Sequence, residues 1–261
     1  LHYWEEPCIS GNSGSGTVFF SNCSLKCIFC QNKKISTNGF GKEINIDELS
    51  NIYLNLQKQG ANNINLVTPT HYVPSIIKSL ELAKEKGLNI PIVYNTSSYE
   101  TKETMELLKG NIDIYLPDLK YYDDKYAVNY SNVKDYFKIA TSNIKDMYNQ
   151  VGKNTFDENG MMVKGVIVRV LLLPNHLEDA KKIIKYLYDT YKDNIYISIM
   201  NQYTPIECIE KYEDLNRKVT QEEYDELINY ACDLGITNAF IQEGETQGES
   251  FIPDFNLDGV S

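Results

Sequence analysis

Three cysteines lie within eight residues, at Cys23, Cys27 and Cys30, with three and then two residues between them. A short loop with this spacing can wrap three thiolates around one face of an iron–sulfur cube, and thiolates are the ligands that such clusters use. A zinc site usually takes four protein ligands, and neither a histidine pair nor a second CxxC motif lies nearby. The spacing therefore favours an iron–sulfur cluster with one open iron, over zinc or over buried thiols that bind no metal.

An arginine inside an apolar run is the second candidate for a functional residue. The chain has only two arginines, Arg169 and Arg217, and Arg169 lies within the nearly continuous apolar segment 166–173. A guanidinium in such a run must find a partner or point into a cavity, and its planar fork suits a carboxylate. Arg169 therefore binds either a ligand carboxylate or one of the many acidic residues of the chain, and the sequence leaves both open.

Asp118 and Lys120 follow an apolar run at residues 112–116. Side chains two residues apart on an extended segment point to the same side. A carboxylate and an ammonium placed in this way can position a polar substrate or a monovalent cation. The alternative is a plain surface ion pair, which is common and weak.

The elements that must position these groups follow a simple alternation. From residue 16 onward, short β-rich runs alternate with amphipathic helical stretches, as in βα units with a parallel sheet. We predict strands at residues 17–20, 65–67, 91–94, 112–116, 166–173 and 195–199, with a further short strand at 240–241. Six βα units are too few to close an eight-stranded barrel. The fold expected is α/β, a partial (β/α)6 TIM-like barrel with its site at the carboxyl ends of the strands.

Composition limits the classes of function. The 261 residues, 42% hydrophobic, are enough for one core, so we predict one domain over 1–261, with a lead-in at 1–15 and a loop or tail at 244–261. Because the chain begins with Leu, we expect a natural N-terminal segment to be missing. A net charge of -11 disfavours nucleic-acid and anionic-membrane partners. No apolar run approaches the ~20 residues of a membrane span, and no secretory signal is visible, so we expect a cytoplasmic protein.

The other three cysteines are isolated. Cys8, Cys208 and Cys232 fit no second-cluster spacing. Ordinary burial is the expectation for them, and we assign them no role.

A family resemblance rests on these motifs. The segment GSGTVFFSNC at 14–23, followed by CSLKCIFCQN, resembles the first strand and cluster loop of radical S-adenosylmethionine (SAM) enzymes, and among them the activating enzymes of pyruvate formate-lyase type. The stretches HYWEEPCISG, NLVTPTHY, YLPDLKYYD, VRVLLLPNH, MNQYTP and FIPDF resemble a poorly characterised subgroup of these proteins. The resemblance implies a 4Fe-4S cluster on Cys23, Cys27 and Cys30, with SAM chelating the open iron. One electron then cleaves SAM to methionine and a 5'-deoxyadenosyl radical, which abstracts hydrogen from a substrate.

The same resemblance implies roles for residues at the strand ends. Segment 67–70 stands where the family has Gly-Gly-Glu-Pro, so Thr68 and Thr70 would receive the SAM amino group, although Thr-Pro also suits a strand-ending turn. Asn95 begins Asn-Thr-Ser-Ser, where activating enzymes carry Asp-Thr-Asn-Gly, and Asp118-Leu-Lys120 matches their Asp-Leu-Lys. These strand ends face the SAM and substrate pocket in the family.

Four further residues are implied to contact SAM. Arg169 would bind the SAM carboxylate. Phe29 would lie near the adenine, with a core aromatic as the alternative. Asn201 and Gln202 would reach ribose or adenine, unless their amides only satisfy loop backbone.

Three functions remain open from sequence. The first is an activating enzyme that abstracts hydrogen from a glycine of a partner glycyl radical enzyme, under anaerobic conditions, with flavodoxin or ferredoxin as reductant. The second is a radical SAM enzyme that acts directly on a small molecule or a peptide. The third is a non-catalytic iron–sulfur module.

Overall fold

The computed structural model describes residues 1–206, 209, 211–242, 255, 257 and 259–260. Cys208 and most of the tail expected at 244–261 lie outside the described residues. Among the helices of the described part, none is long and apolar enough to cross a membrane.

Seven parallel strands form the sheet, in the order β1-β2-β3-β4-β6-β7-β8, and β5 pairs antiparallel with β6 at one side of this path. The strands are β1 (Gly16–Phe19), β2 (Ile64–Val67), β3 (Ile92–Thr96), β4 (Ile114–Pro117), β5 (Thr155–Phe156), β6 (Met162–Leu171), β7 (Tyr196–Met200) and β8 (Ala239–Ile241). Since β1 and β8 are the two ends of the path, the sheet curves as an open α/β barrel, as predicted. The run at 240–241 does pair, so the parallel strands number seven and not six.

Nine α-helices accompany the strands in the described residues. They are α1 (Pro7–Ser10), α2 (Lys33–Ser36), α3 (Ile46–Lys58), α4 (Val73–Glu85), α5 (Lys102–Leu108), α6 (Asp124–Ser131), α7 (Tyr136–Val151), α8 (Leu177–Tyr191) and α9 (Gln221–Asp233). The predicted capping boxes are present: Asn45 with Glu48 begins α3, and Thr220 with Glu223 begins α9. These caps fix where the helices between strands begin.

Alternation along the strands divides the core into two layers. Tyr115 and Val168 face the helices, whereas Ile114 and Ile167 face the inside of the barrel. The inner layer also contains Cys8 and Ile9 of α1. The lead-in segment therefore fills the inner face of the sheet, and β6 is buried on both faces, as its apolar sequence predicts.

Two departures from regularity lie near the strand ends. Pro117 has no N–H to donate, and the β4–β6 ladder stops at Tyr115 and Val166 before one isolated bridge between Asp118 and Arg169. The N–H of Leu119 then donates to the Arg169 carbonyl at 2.9 Å. This local break leaves the side chains of β4 and β6 spread around a cavity.

Candidate functional site

A cavity of about 610 Å³ opens at the carboxyl ends of the strands. Its wall brings together most of the residues predicted from sequence: Cys23, Cys27, Cys30, Thr68, Asn95, Asp118, Lys120, Arg169 and Gln202. Phe29, Thr70 and Asn201 are not among its lining residues. The cavity lies where a parallel α/β barrel places its site.

The cysteine loop is anchored on both sides. Leu25 and Phe29 are buried and pack into the main core. The N–H groups of Lys26 and Ile28 donate to carbonyls at the end of α6, those of Ser131 and Tyr130, at 3.0 and 2.8 Å. Two apolar anchors and two backbone hydrogen bonds therefore hold the cysteines at the cavity wall.

Two of the three sulfurs contact hydroxyl groups. The Cys27 Sγ lies 3.0 Å from the Ser131 Oγ, which is also 2.7 Å from the Tyr121 hydroxyl. The Cys30 Sγ lies 3.2 Å from the Ser36 Oγ at the end of α2. Hydrogen bonds of this kind orient cysteine ligands and tune the reduction potential of a cluster.

The three cysteines fit a cube better than a single ion. Within the described residues, no three His, Cys, Asp or Glu side chains converge closely enough to hold one metal ion. A cube places each thiolate on a different iron, so the sulfurs need only surround one volume, and all three line the same cavity. Burial raises the pKa of Cys27 to about 12, although Lys120 acts in the opposite direction. Cluster binding must therefore displace protons from these thiols.

Asp118 and Lys120 form an ion pair that faces the cavity. The Lys120 ammonium donates to the Asp118 Oδ2 at 2.7 Å, and the two side chains are only 26% and 18% exposed. Burial alone would lower the pKa of Lys120, but Asp118 and then Cys27 raise it above its ordinary value. Lys120 is therefore a charged donor. Both residues point to the same side, and their catalytic role stays a prediction.

The two threonines in the segment after β2 have different surroundings. Thr68 lines the cavity with a left-handed backbone, φ 57°, and its N–H donates to the Asn95 carbonyl at 3.0 Å. Thr70 instead donates its hydroxyl to Glu100 at 2.8 Å. Glu100 also accepts from Thr96, so this buried carboxylate ties the ends of β2 and β3 together. A SAM-binding role for Thr68, Thr70 and Asn95 stays a prediction.

Arg169 is held by two glutamates of the lead-in segment. Its Nε donates to Glu6 at 2.8 Å, and its Nη2 donates to both Glu6 and Glu5. The alternative weighed from sequence, a structural pair with acidic residues, is thus what the guanidinium makes. Among the described residues its Nη1 has no hydrogen-bond partner, and Arg169 lines the cavity. That nitrogen keeps two donors for a ligand carboxylate, which stays a prediction.

The remaining predicted residues lie beside the cavity. Phe29 is buried and meets Tyr203 edge-on, with ring centroids 5.9 Å apart. The N–H of Asn201, a buried residue, donates to the Gln242 side chain at 2.9 Å. Gln202 accepts from Gln31 through its carbonyl at 3.0 Å. Contacts of these residues with SAM stay a prediction.

Sequence reasoning missed Glu5, Glu6, Ser36 and Ser131. The adjacent glutamates before Pro7 carried the only signal, because two acidic residues entering an apolar stretch need a cation. Nothing in a serine marks it as the neighbour of a sulfur 104 residues away.

Comparison with known sequences agrees with this geometry. The profile of the Radical SAM superfamily matches residues 17–187. An uncharacterised protein of Methanocaldococcus jannaschii is 34% identical over 242 residues, which cover 88% of this chain and 65% of that relative. A pyruvate formate-lyase-activating enzyme of Clostridium pasteurianum is 29% identical over 228 residues, which cover 83% of this chain and 86% of that relative.

Solved structures share the fold. Streptococcus suis SuiB bound to S-adenosylmethionine superposes with a TM-score of 0.59, at 20% identity, over 87% of this chain and 50% of SuiB. The family profile spans more than half of the sequence and includes the three cysteines. This chain therefore belongs to the radical SAM superfamily, whose cofactors are a 4Fe-4S cluster and SAM.

Proposed function

We propose that this chain is an activating enzyme that abstracts a hydrogen atom from a glycine of a partner glycyl radical enzyme. The observation that carries the proposal is the cavity in which the three cysteines face the Asp118–Lys120 pair. The Clostridium pasteurianum relative, named a pyruvate formate-lyase-activating enzyme, supports the same reaction class. The chain spans 65% of the length of its Methanocaldococcus jannaschii relative, so the activity is proposed for the 261 residues of this chain.

The residues divide the work of binding and orientation. Cys23, Cys27 and Cys30 would hold the cluster, which together with SAM supplies one-electron cleavage to methionine and a 5'-deoxyadenosyl radical. Nη1 of Arg169 would bind the SAM carboxylate, and the Thr68 hydroxyl would accept from the SAM ammonium. Lys120 remains protonated beside Asp118, so it donates a hydrogen bond and holds a charge, and it does not remove a proton.

A second candidate is direct action on a small molecule or a peptide. The segment after β2 favours it, since Pro69 stands where the resemblance places an acidic residue and Thr70 turns to Glu100. In either case the enzyme must be reduced by an external one-electron donor such as flavodoxin or ferredoxin.

The test is cleavage of SAM by anaerobically reconstituted protein with dithionite as reductant. We expect slow release of 5'-deoxyadenosine and methionine, with S-adenosylhomocysteine at background. A candidate glycyl radical enzyme should then give a glycyl radical signal in electron paramagnetic resonance (EPR) spectra, and glycine deuterated at Cα should carry label into 5'-deoxyadenosine. Label from a small molecule or peptide would favour the second candidate. If protein with a complete cluster forms no 5'-deoxyadenosine, the remaining function is that of a non-catalytic iron–sulfur module.

A further inference from the structure

Positive charge is concentrated around the cysteine loop. Residues 7–42 contain four lysines and no aspartate or glutamate, although the whole chain has a net charge of -11. We call these four residues the basic rim: Lys26, Lys33, Lys34 and Lys42. All four are exposed, and within the described part of the chain none of them forms an ion pair. The rest of the chain is therefore more acidic than its total charge suggests.

Three lysines of the basic rim lie close to the cysteine ligands in the sequence. Lys26 lies between Cys23 and Cys27, and its ammonium donates to the Cys23 carbonyl at 3.1 Å. Lys33 and Lys34 begin α2, which starts three residues after Cys30. The last residue of α2 is the serine whose hydroxyl contacts the Cys30 sulfur. Three of the four charges thus lie within four residues of a ligand.

Among the described residues, the contacts that these lysines make leave their charge uncompensated. Lys34 donates to the Phe255 carbonyl and lies 4.4 Å from the centroid of the Phe40 ring. Lys42 donates to the Val260 carbonyl at 3.5 Å. Carbonyl groups and an aromatic face orient an ammonium without neutralising it. A local positive field results, on a protein whose remaining surface repels anions.

We propose that the basic rim is the docking surface for an acidic protein that delivers single electrons, such as a reduced flavodoxin. This inference rests on the proposed function, because reductive cleavage of SAM consumes one electron that the chain must obtain from outside. One electron leaves the reduced flavin of the donor and enters the cluster, and no bond is formed or broken in the transfer. The acidic remainder of the surface repels such a donor, so the basic rim selects an approach close to the cysteines.

The experiment uses the reconstituted holoenzyme and two quadruple variants with the same change in charge. The first replaces all four lysines of the basic rim by Gln. The control replaces Lys58, Lys84, Lys86 and Lys109, which are exposed and lie at the ends of α3, α4 and α5, at the opposite edge of the sheet. Anaerobic stopped-flow absorbance gives the second-order rate constant for cluster reduction by reduced flavodoxin, at low and at high salt. Titration with oxidised flavodoxin gives the dissociation constant.

At low salt we expect the basic-rim variant to be reduced at least about tenfold more slowly than wild type, and to bind flavodoxin more weakly, because electrostatic steering changes association rates by roughly 10 to 1,000-fold. The difference should disappear at high salt, and the control variant should behave as wild type. Reduction by photoreduced 5-deazariboflavin, an uncharged small donor, and the EPR-monitored potential at high salt should not change, because neither depends on electrostatic steering.

Equal slowing of both variants would show an effect of overall charge and overturn the proposal. Slower reduction by the uncharged donor, or a potential that is shifted at high salt, would show that the lysines act on the cluster and would overturn it as well. Both readouts are taken without SAM or substrate, so failure to form 5'-deoxyadenosine would refute the proposed function and leave the docking result intact.

Discussion

The ionic cluster of Arg169 with Glu5 and Glu6 offers the sharpest test of the structure. The side chains are 13%, 8% and 5% exposed, and Asn65 also donates to Glu5 at 2.9 Å. Replacing Arg169 by Met removes the guanidinium and leaves two buried carboxylates without it. Breaking a buried pair by removing one partner typically costs about 3–5 kcal/mol.

The pKa of Glu5 gives an independent magnitude. Burial alone would raise it, but Arg169, followed by a hydrogen bond with His2, lowers it from an ordinary 4.5 to about 2. At about 1.4 kcal/mol per pKa unit, that difference stabilises the folded state by about 3 kcal/mol near neutral pH. With a shift of roughly 2–4 °C per kcal/mol in chains of this size, Arg169→Met should lower the melting temperature by about 10 °C.

The pH dependence follows from the sign of the shift. A carboxyl group with a depressed pKa stabilises the fold above its unfolded pKa, and this contribution is lost as the pH falls from about 4.5 towards 2. In the variant, burial remains and the guanidinium is gone, so the pKa of Glu5 rises. The stability difference between wild type and variant should therefore be largest near pH 7 and shrink as the pH falls through the raised pKa of the variant towards about 2.

The assay is thermal and urea unfolding of cluster-free protein at pH 7 and pH 4. The control is Arg217→Met, at the only other arginine, which is 37% exposed and pairs with Glu223. An exposed pair contributes at most about 1 kcal/mol. If Arg169→Met costs no more than Arg217→Met, or if its cost does not shrink at pH 4, the buried ionic cluster is not as described.

Three further predictions concern the cavity. Cys27→Ala should abolish cluster assembly, measured as iron and sulfide per chain, whereas Cys232→Ala, at an exposed cysteine, should retain it. Ser131→Ala removes the hydroxyl beside the Cys27 sulfur. In an EPR-monitored titration, the cluster potential should become more negative by roughly 40 mV, equivalent to about 1 kcal/mol for one electron. The control Ser79→Ala, at a buried serine that hydrogen-bonds within α4, should not shift the potential. Thr68→Gly should raise the melting temperature, because it relieves about 1 kcal/mol of strain in a left-handed backbone, and it should weaken SAM binding. The control Asn132→Gly, at a second residue with a left-handed backbone, should leave SAM affinity unchanged.

The elements that could be predicted are those fixed by local sequence. The capping boxes of α3 and α9 formed as expected because both partners lie three residues apart. Apolar runs located the long strands, and Asn159-Gly160 turns between β5 and β6, with Gly160 at φ 77°. The two-residue strand β5 was missed, since a pair of residues carries no periodicity.

The partners inside the cavity depend on tertiary packing. Glu5 reaches Arg169 across 164 residues because α1 packs against the inner face of the sheet, and no local pattern encodes that docking. The need of Arg169 for an anion was predictable from its apolar neighbours, whereas the choice between a ligand and a protein carboxylate was not. The cysteine spacing predicted three thiolates at one wall because all three lie in one short loop.

Thr68 shows what the altered segment after β2 retains. The resemblance places the second glycine of Gly-Gly-Glu-Pro at this position, and Thr68 has the left-handed φ of 57° that glycine adopts freely. A β-branched residue pays about 1–2 kcal/mol for that conformation, so neighbouring contacts must enforce it. Its N–H donates to the Asn95 carbonyl, and Glu100 binds Thr70 on one side and Thr96 on the other. A strained backbone conformation persists only where the surrounding contacts enforce it, and such conformations cluster at functional sites. The backbone at Thr68 therefore has a conformation that glycine favours, and the nearby buried carboxylate of Glu100 binds Thr70 and Thr96 and does not line the cavity.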